Sequence, residues 1–185
     1  LDFEVGDTAP VVLAIPPGRQ DEATTQRVAV QVLQAQAVER GWVVVTPVAP
    51  NDTLYFDGSE EFMPGFVDWM QTWVDGTPHL LGASNGGLSA FRIAGMQPDT
   101  FASIVVFPGY PFTDADRENL VELNLPVRMF VGESDTGWVT PMDETFAALE
   151  ARGADVTYDV IPGEGHVIGA LSDGVRLFDE LEALR

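Results

Sequence analysis

The chain has 185 residues, 45% of them apolar, and carries 29 acidic against 9 basic residues for a net charge of −20. That length suits one domain with a single good core, and the apolar share marks a globular chain. The absence of cysteine excludes disulfides, thiolate catalysis and Cys-based metal sites, and the acidity repels nucleic acid and anionic membranes, so neither is assigned as a partner.

Residues 1–9 read as a short lead-in, with an edge strand as the one element they could form. Residues 10–15 are a continuous apolar run, as expected of a strand buried on both faces of a parallel sheet, and Pro16-Pro17-Gly18 stops it. Asp21 or Thr24 can cap the next helix, which carries Val28, Val32, Leu33, Ala35 and Ala37 to Glu39 and ends at Gly41. Residues 42–45 are a second buried strand, and 49–59 a polar loop bearing Tyr55 and Phe56. A helix over 60–74 follows, with Phe62, Phe66, Trp69, Met70 and Trp73 at helical spacing, read as core packing against the sheet. Residues 79–83 are the third strand, 85–97 a helix, and 101–107 the fourth strand, ended by Pro108-Gly109. A short helix near 114–123, a fifth strand at 127–131, a helix over 142–152, a sixth strand at 156–161 and a last helix over 169–184 complete the chain. Strands and helices alternate throughout, so the fold class is α/β, a mainly parallel sheet of about six strands with helices on both faces. No apolar run approaches the length needed to span a bilayer.

The chemistry gathers at one edge of that sheet. Gly82-Ala83-Ser84-Asn85-Gly86-Gly87 lies between a strand and a helix, a G-x-S-x-G turn with serine at its apex. In an open parallel sheet, ligands bind at the carboxyl ends of the strands. Ser84 lies at that end of the third strand, Asp135 just past the fifth and His166 just past the sixth. A serine hydroxyl is a weak nucleophile until an imidazole takes its proton, and the imidazole needs a carboxylate to hold its tautomer and stabilise its charged form. The chain has two histidines, and His79 stands at the amino edge as a structural or surface residue, which leaves His166 as the base. For the acid Asp135 leads, with Glu133, Asp159 and Asp114 as the other carboxylates in play. An oxyanion hole needs two backbone N–H groups. One is expected from Asn85, at the helix amino terminus. The other is expected from the loop after the first strand, where Pro16 and Pro17 have no N–H and leave Gly18 or Arg19, with Gly18 preferred. Arg19 is otherwise a surface residue or a holder of an anionic substrate group. Tyr55, Phe56, Tyr110, Phe112, Trp138 and Val167 lie on loops at the same edge and are candidates for an apolar acyl-binding wall.

On Gly82-Ala83-Ser84-Asn85-Gly86-Gly87, Gly132-Glu133-Ser134-Asp135-Thr136-Gly137-Trp138 and Pro162-Gly163-Glu164-Gly165-His166, the chain resembles the α/β-hydrolase superfamily. Together these motifs are similar to its small carboxylesterase and dienelactone-hydrolase-like branch, including polyhydroxybutyrate-depolymerase-like esterases. The resemblance implies a minimal α/β-hydrolase fold as a single domain over 1–185, with Ser84 as nucleophile, His166 as base and Asp135 as acid. Two departures stand out: the lead-in is very short where the family has extra antiparallel strands, and Pro16-Pro17-Gly18 replaces the family's His-Gly. The segment between Tyr110 and Pro126 is too short for a cap domain, which implies an open cleft that suits accessible acyl groups, including polymer ends.

The resulting expectation is a serine esterase acting on a small-molecule or polymer-end ester through an acyl-enzyme, without cofactor or metal. A peptidase or thioesterase with the same machinery, and a catalytically silent binding protein on the same fold, are the rival readings, because fold and triad do not set the leaving group. Oligomeric state is left open. The chain opens at Leu1, which fits a processed or trimmed product, and no signal peptide is visible. A secreted protein with its signal removed and a cytoplasmic protein of a salt-adapted organism are both consistent with this. All nine basic residues are Arg, and the acid is spread along the chain rather than gathered in a tail. This is either an ordinary solvated surface or an adaptation to high salt, where screening relieves self-repulsion. Salt adaptation predicts activity maintained or raised in molar salt; a salt titration showing a steep loss would count against it.

Overall fold

The computed structural model of the chain describes residues 9–72, 74 and 76–185. Six strands form one parallel sheet: β1 (Val11–Ile15), β2 (Val43–Val45), β3 (His79–Gly82), β4 (Ile104–Val106), β5 (Val127–Gly132) and β6 (Val156–Ile161). Their spatial order is β2-β1-β3-β4-β5-β6. The chain steps outward from β1 to β2, returns past β1 to β3, and then continues in the opposite direction. The order therefore reverses between β1 and β3, and a crevice opens outside their carboxyl ends.

The helices are α1 (Glu22–Val28), α2 (Gln34–Arg40), α3 (Met63–Met70), α4 (Asn85–Met96), α5 (Asp114–Asn119), α6 (Thr136–Ala151) and α7 (Val175–Ala183). They cover both faces of the sheet. Successive strand side chains point to opposite faces, so β1 sends Val11, Leu13 and Ile15 to one core and Val12 and Ala14 to the other. The first core is closed by Met63, Val67 and Met70 of α3, Phe91 and Ile93 of α4, and Met142 and Leu149 of α6. The second is closed by Leu33 and Ala37 from the α1–α2 segment and by Leu177, Phe178 and Leu181 of α7. Among the described residues, no helix is long and apolar enough to cross a membrane.

Several expectations change in the folded chain. Residues 1–8 and Trp73, read as lead-in and as part of an aromatic stripe, lie outside the described residues. Of the segment over 42–45, Trp42 is buried but Val43–Val45 are half-buried, because β2 is an edge strand with one neighbour. The helix capped by Asp21 is interrupted by a π-helical turn at Ala29–Leu33 before it ends at Gly41, in the left-handed conformation. The stripe over 60–74 is not core as a whole. Phe62 is 47% and Trp69 54% exposed, Phe66 packs between Trp69 and the core, and Met63, Val67 and Met70 face the sheet. The helix expected at 142–152 starts at Thr136 and carries Pro141 inside it. The last helix is broken at Gly174, which adopts φ +72° between a 3-10 turn (Gly169–Leu171) and α7.

Where β3 turns into α4, three backbone segments meet at less than side-chain distance. A Cβ on Gly82 would lie 2.3 Å from Gly86 O, one on Gly86 2.1 Å from Ile15 O, and one on Gly87 2.1 Å from Pro108 O. The ends of β1 and β4 thus clamp the turn, and the neighbouring atoms are backbone that cannot rotate away. Gly86→Ala is expected to cost about 3 kcal/mol and lower Tm by roughly 10 °C, from overpacking against fixed atoms. Gly137→Ala, where a Cβ meets nothing within 4 Å, serves as the neutral control in thermal unfolding.

His79, at the opposite edge, is 4% exposed. Its ring packs 5.2 Å from that of Trp42, and its Nδ1 lies 2.7 Å from Ser103 Oγ. Burial pushes its pKa down to about 4, with Arg185 reinforcing the shift and Glu182 opposing it. The folded value lies below the ordinary 6.5, so between the two the unfolded chain binds a proton that the fold refuses. The contribution is fully present above about pH 6.5 and is lost as pH falls toward 4. Urea unfolding is expected to show wild type losing on the order of 3 kcal/mol relative to His79→Gln between pH 7 and pH 4.

Candidate active site

The turn at Gly82–Gly87 holds Ser84 at φ 55° and ψ −119°, a conformation that costs a non-glycine residue energy and is over-determined here by the packed glycines on either side. The Ser84 N–H donates to Pro108 O at 2.9 Å, which anchors the turn to the end of β4. The hydroxyl is then free to face the loops beyond the carboxyl edge, and it meets His166, with Ser84 Oγ 2.8 Å from Nε2. His166 Nδ1 lies 2.7 Å from Asp135 Oδ2. An ionised carboxylate can only accept, so Nδ1 carries the proton and donates to Asp135, and Nε2 accepts from the Ser84 hydroxyl. The Asp135 side chain is 14% and the His166 side chain 42% exposed, so the acid is sheltered while the imidazole edge is open to solvent.

The other carboxylates weighed for this position are engaged elsewhere. Asp159 pairs with Arg176 at 2.5 Å and Asp114 with Arg117 at 2.7 Å. Glu133 Oε2 accepts the Gly163 N–H at 3.0 Å. His79 lies at the far edge of the sheet, on the first residue of β3.

Asn85 opens α4, so its N–H is among those at the helix amino terminus that have no intrahelical acceptor. Its side chain also acts: Nδ2 donates to Gly18 O at 2.9 Å and ties the loop after β1 to the turn. Gly18 has φ +63°, and both it and Arg19 are exposed. The same loop is held from below by Gln20, a residue that sequence reasoning missed. Gln20 is fully buried at φ 57°; its Nε2 donates to Ser89 Oγ on α4 at 2.9 Å, and its Oε1 accepts the Tyr55 N–H at 2.8 Å. A glutamine in a polar loop carries no signal that distinguishes it from a solvated one.

The wall candidates divide. Tyr55 does not reach the cleft: it is 3% exposed, its hydroxyl donates to Val48 O at 2.8 Å, and burial pushes its pKa up to about 12. The apolar ring is worth more in the core than in water, and Val48 O satisfies its hydroxyl there. The other aromatics form a continuous run, with Phe56 against Phe112 at 5.3 Å, Phe112 to Tyr110 at 6.5 Å, Tyr110 to Trp138 at 5.1 Å and Trp138 to His166 at 5.1 Å. Val167, next to His166, is 83% exposed. Among the described residues no group of three or more His, Asp or Glu is arranged to hold a metal ion.

No family model matches this sequence, and no curated protein matches it by sequence. Solved structures do match by shape. The chain is similar to esterase PE8, with TM-score 0.75 and 18% identity over 100% of this chain and 97% of that one. It is similar to a thermostable esterase, with TM-score 0.74 and 16% identity over 99% of this chain, although it spans only 55% of that longer protein. It is also similar to dienelactone hydrolase from Anabaena variabilis ATCC 29413, with TM-score 0.65 and 20% identity over 95% of this chain and 85% of that one. With its six-stranded parallel sheet and its strand–turn–helix at Ser84, the chain has the fold of the α/β-hydrolase superfamily.

Proposed function

We propose that this protein is a serine hydrolase that cleaves carboxylic esters. The observation that carries the reading is the unbroken hydrogen-bonded chain from Ser84 Oγ to His166 Nε2 at 2.8 Å and from His166 Nδ1 to Asp135 at 2.7 Å. In the proposed mechanism Ser84 Oγ attacks the ester carbonyl carbon as its proton passes to His166 Nε2. Asp135 stabilises the imidazolium and holds its orientation. The carbonyl oxygen becomes an oxyanion and is met by the N–H groups of Asn85 and Gly18. The C–O bond to the alcohol then breaks, and the leaving alkoxide takes the proton from His166. In the second half, water gives a proton to His166 and attacks the acyl carbon, and the carboxylic acid leaves as Ser84 recovers its hydrogen. The same loops are proposed to act on a small-molecule or polymer-end ester approaching from solvent, because the imidazole edge is open.

The aromatic run from Trp138 through Tyr110 and Phe112 to Phe56 supports an apolar acyl or alcohol chain lying against this side of the site, with Val167 beside it. The net charge of −20 disfavours anionic substrates.

The test is hydrolysis of p-nitrophenyl acetate, butyrate and octanoate, beside matched amide and thioester substrates. Ser84→Ala is expected to lower kcat at least about 10³-fold with folding intact, as for removal of a nucleophile. Fluorophosphonate labelling of wild type but not of Ser84→Ala should accompany it. A fully active Ser84→Ala, or a folded wild type that neither turns over esters nor labels, would sink the proposal.

A further inference from the structure

His166 stands in the loop 162–168, which is anchored in the core by the buried Ile168, while the histidine and the residue after it are exposed. Its side chain is 42% exposed, the next residue, Val167, is 83% exposed, and its ring meets Trp138 at 5.1 Å. A pair of carboxylates brackets this loop. On the far side of His166, Glu164 Oε2 accepts the Gly169 N–H at 3.0 Å and Glu164 Oε1 accepts the Ala170 N–H at 3.1 Å. One carboxylate thus closes the chain around the histidine, from two residues before it to the 3-10 turn after it. On the near side, the Gly163 N–H donates to Glu133 Oε2 at 3.0 Å, and the Ser134 N–H donates to the Glu164 carbonyl at 2.9 Å. The loop carrying Asp135 and the loop carrying His166 touch with no room between them: a Cβ on Gly132 would lie 2.2 Å from Gly165 O.

Gly169 and Ala170 are both exposed, so water could satisfy their N–H groups without the carboxylate. Burial therefore does not require Glu164; what its two hydrogen bonds do is hold the residues flanking His166 at a set separation. We propose that Glu164, assisted by Glu133, is a positioning residue that holds the His166 imidazole between Ser84 and Asp135. This rests on the serine hydrolase reading above. Glu133 and Glu164 touch neither substrate nor the reacting atoms in this proposal; they act through the loop backbone.

Glu164→Ala removes the clasp but keeps the backbone link from Ser134 to residue 164, so the fold is expected to survive. Its kcat should fall about 10- to 100-fold while KM stays within about 2-fold, as for a misplacement of catalytic groups by a fraction of an ångström to an ångström. The rate of Ser84 labelling by a fluorophosphonate should fall in parallel, and Glu164→Gln, which keeps an acceptor oxygen, should recover part of both. Glu133→Gln should cost less than about 10-fold in kcat, since a neutral amide oxygen can still accept the single Gly163 N–H. An unchanged kcat and labelling rate in Glu164→Ala would overturn the clasp while leaving the hydrolase reading intact. So would a loss that tracks a fall in Tm. A Glu133→Gln loss as large as that of Asp135→Asn would overturn it too, by making Glu133 the acid. A folded wild type that does not label would remove the hydrolase reading and the clasp together.

Discussion

Everything at the carboxyl edge depends on how closely the backbone packs where β3 becomes α4. Gly82, Gly86 and Gly87 have no Cβ, and in each case a Cβ would fall within 2.3 Å of another backbone oxygen. That approach lets the ends of β1 and β4 press on the turn, and their pressure holds Ser84 at φ 55° against its own preference. The strain is local and the restraint is distributed: Ile15 O, Pro108 O and the first turn of α4 all contribute to it. The backbone consequently presents the hydroxyl at the crevice where the strand order reverses, within 2.8 Å of His166 Nε2.

A second layer of hydrogen bonds ties the loops to this turn and to one another. Asn85 reaches Gly18, Gln20 reaches Ser89 and Tyr55, and Glu133 and Glu164 reach the loop of His166. The loops come from strands that are adjacent in the sheet, β2 with β1, β1 with β3 and β5 with β6, so single side chains suffice to span the gaps. The bonds of Gln20 are buried, whereas those of Glu133 and Glu164 give directional, charge-assisted restraint at an exposed edge. The aromatic run beside His166 adds apolar surface to this edge and packs the Trp138 ring 5.1 Å from the imidazole.

The order of elements was legible in the residues because the central strands are short apolar runs and several helices have a recognisable start or stop. Asp21 caps its helix through the Thr24 N–H, and Gly41 ends it in the left-handed conformation. Where the reading went astray, the local pattern was ambiguous. Trp42 to Val45 is as apolar as a central strand, and only the sheet order makes β2 an edge. Phe62, Phe66, Trp69 and Met70 recur at helical spacing as a core stripe would, yet of these only Met70 is fully buried, and packing turns it to the core beside Met63 and Val67. The helix expected from residue 142 begins at Thr136 and runs through Pro141. Tyr55 and Phe56 are neighbours in one loop, and the pattern cannot say which ring turns into the core.

The sequence by itself determined the α/β alternation, the glycine-framed serine turn, and a serine, an aspartate and a histidine each placed just beyond the end of a strand. These follow from chemistry local to a few residues: apolar period, turn-forming glycines and the scarcity of histidine. Only the tertiary structure decided which carboxylate faces His166. Asp135, Glu133, Asp159 and Asp114 are equivalent in type, and only their distances in space, 2.7 Å for Asp135 against partners elsewhere for the rest, distinguish them. It also decided the hydrogen-bond partners of Gln20 and Glu164. Their hydrogen bonds join residues whose proximity is created by the order of strands and the closure of loops, and no residue carries that information alone.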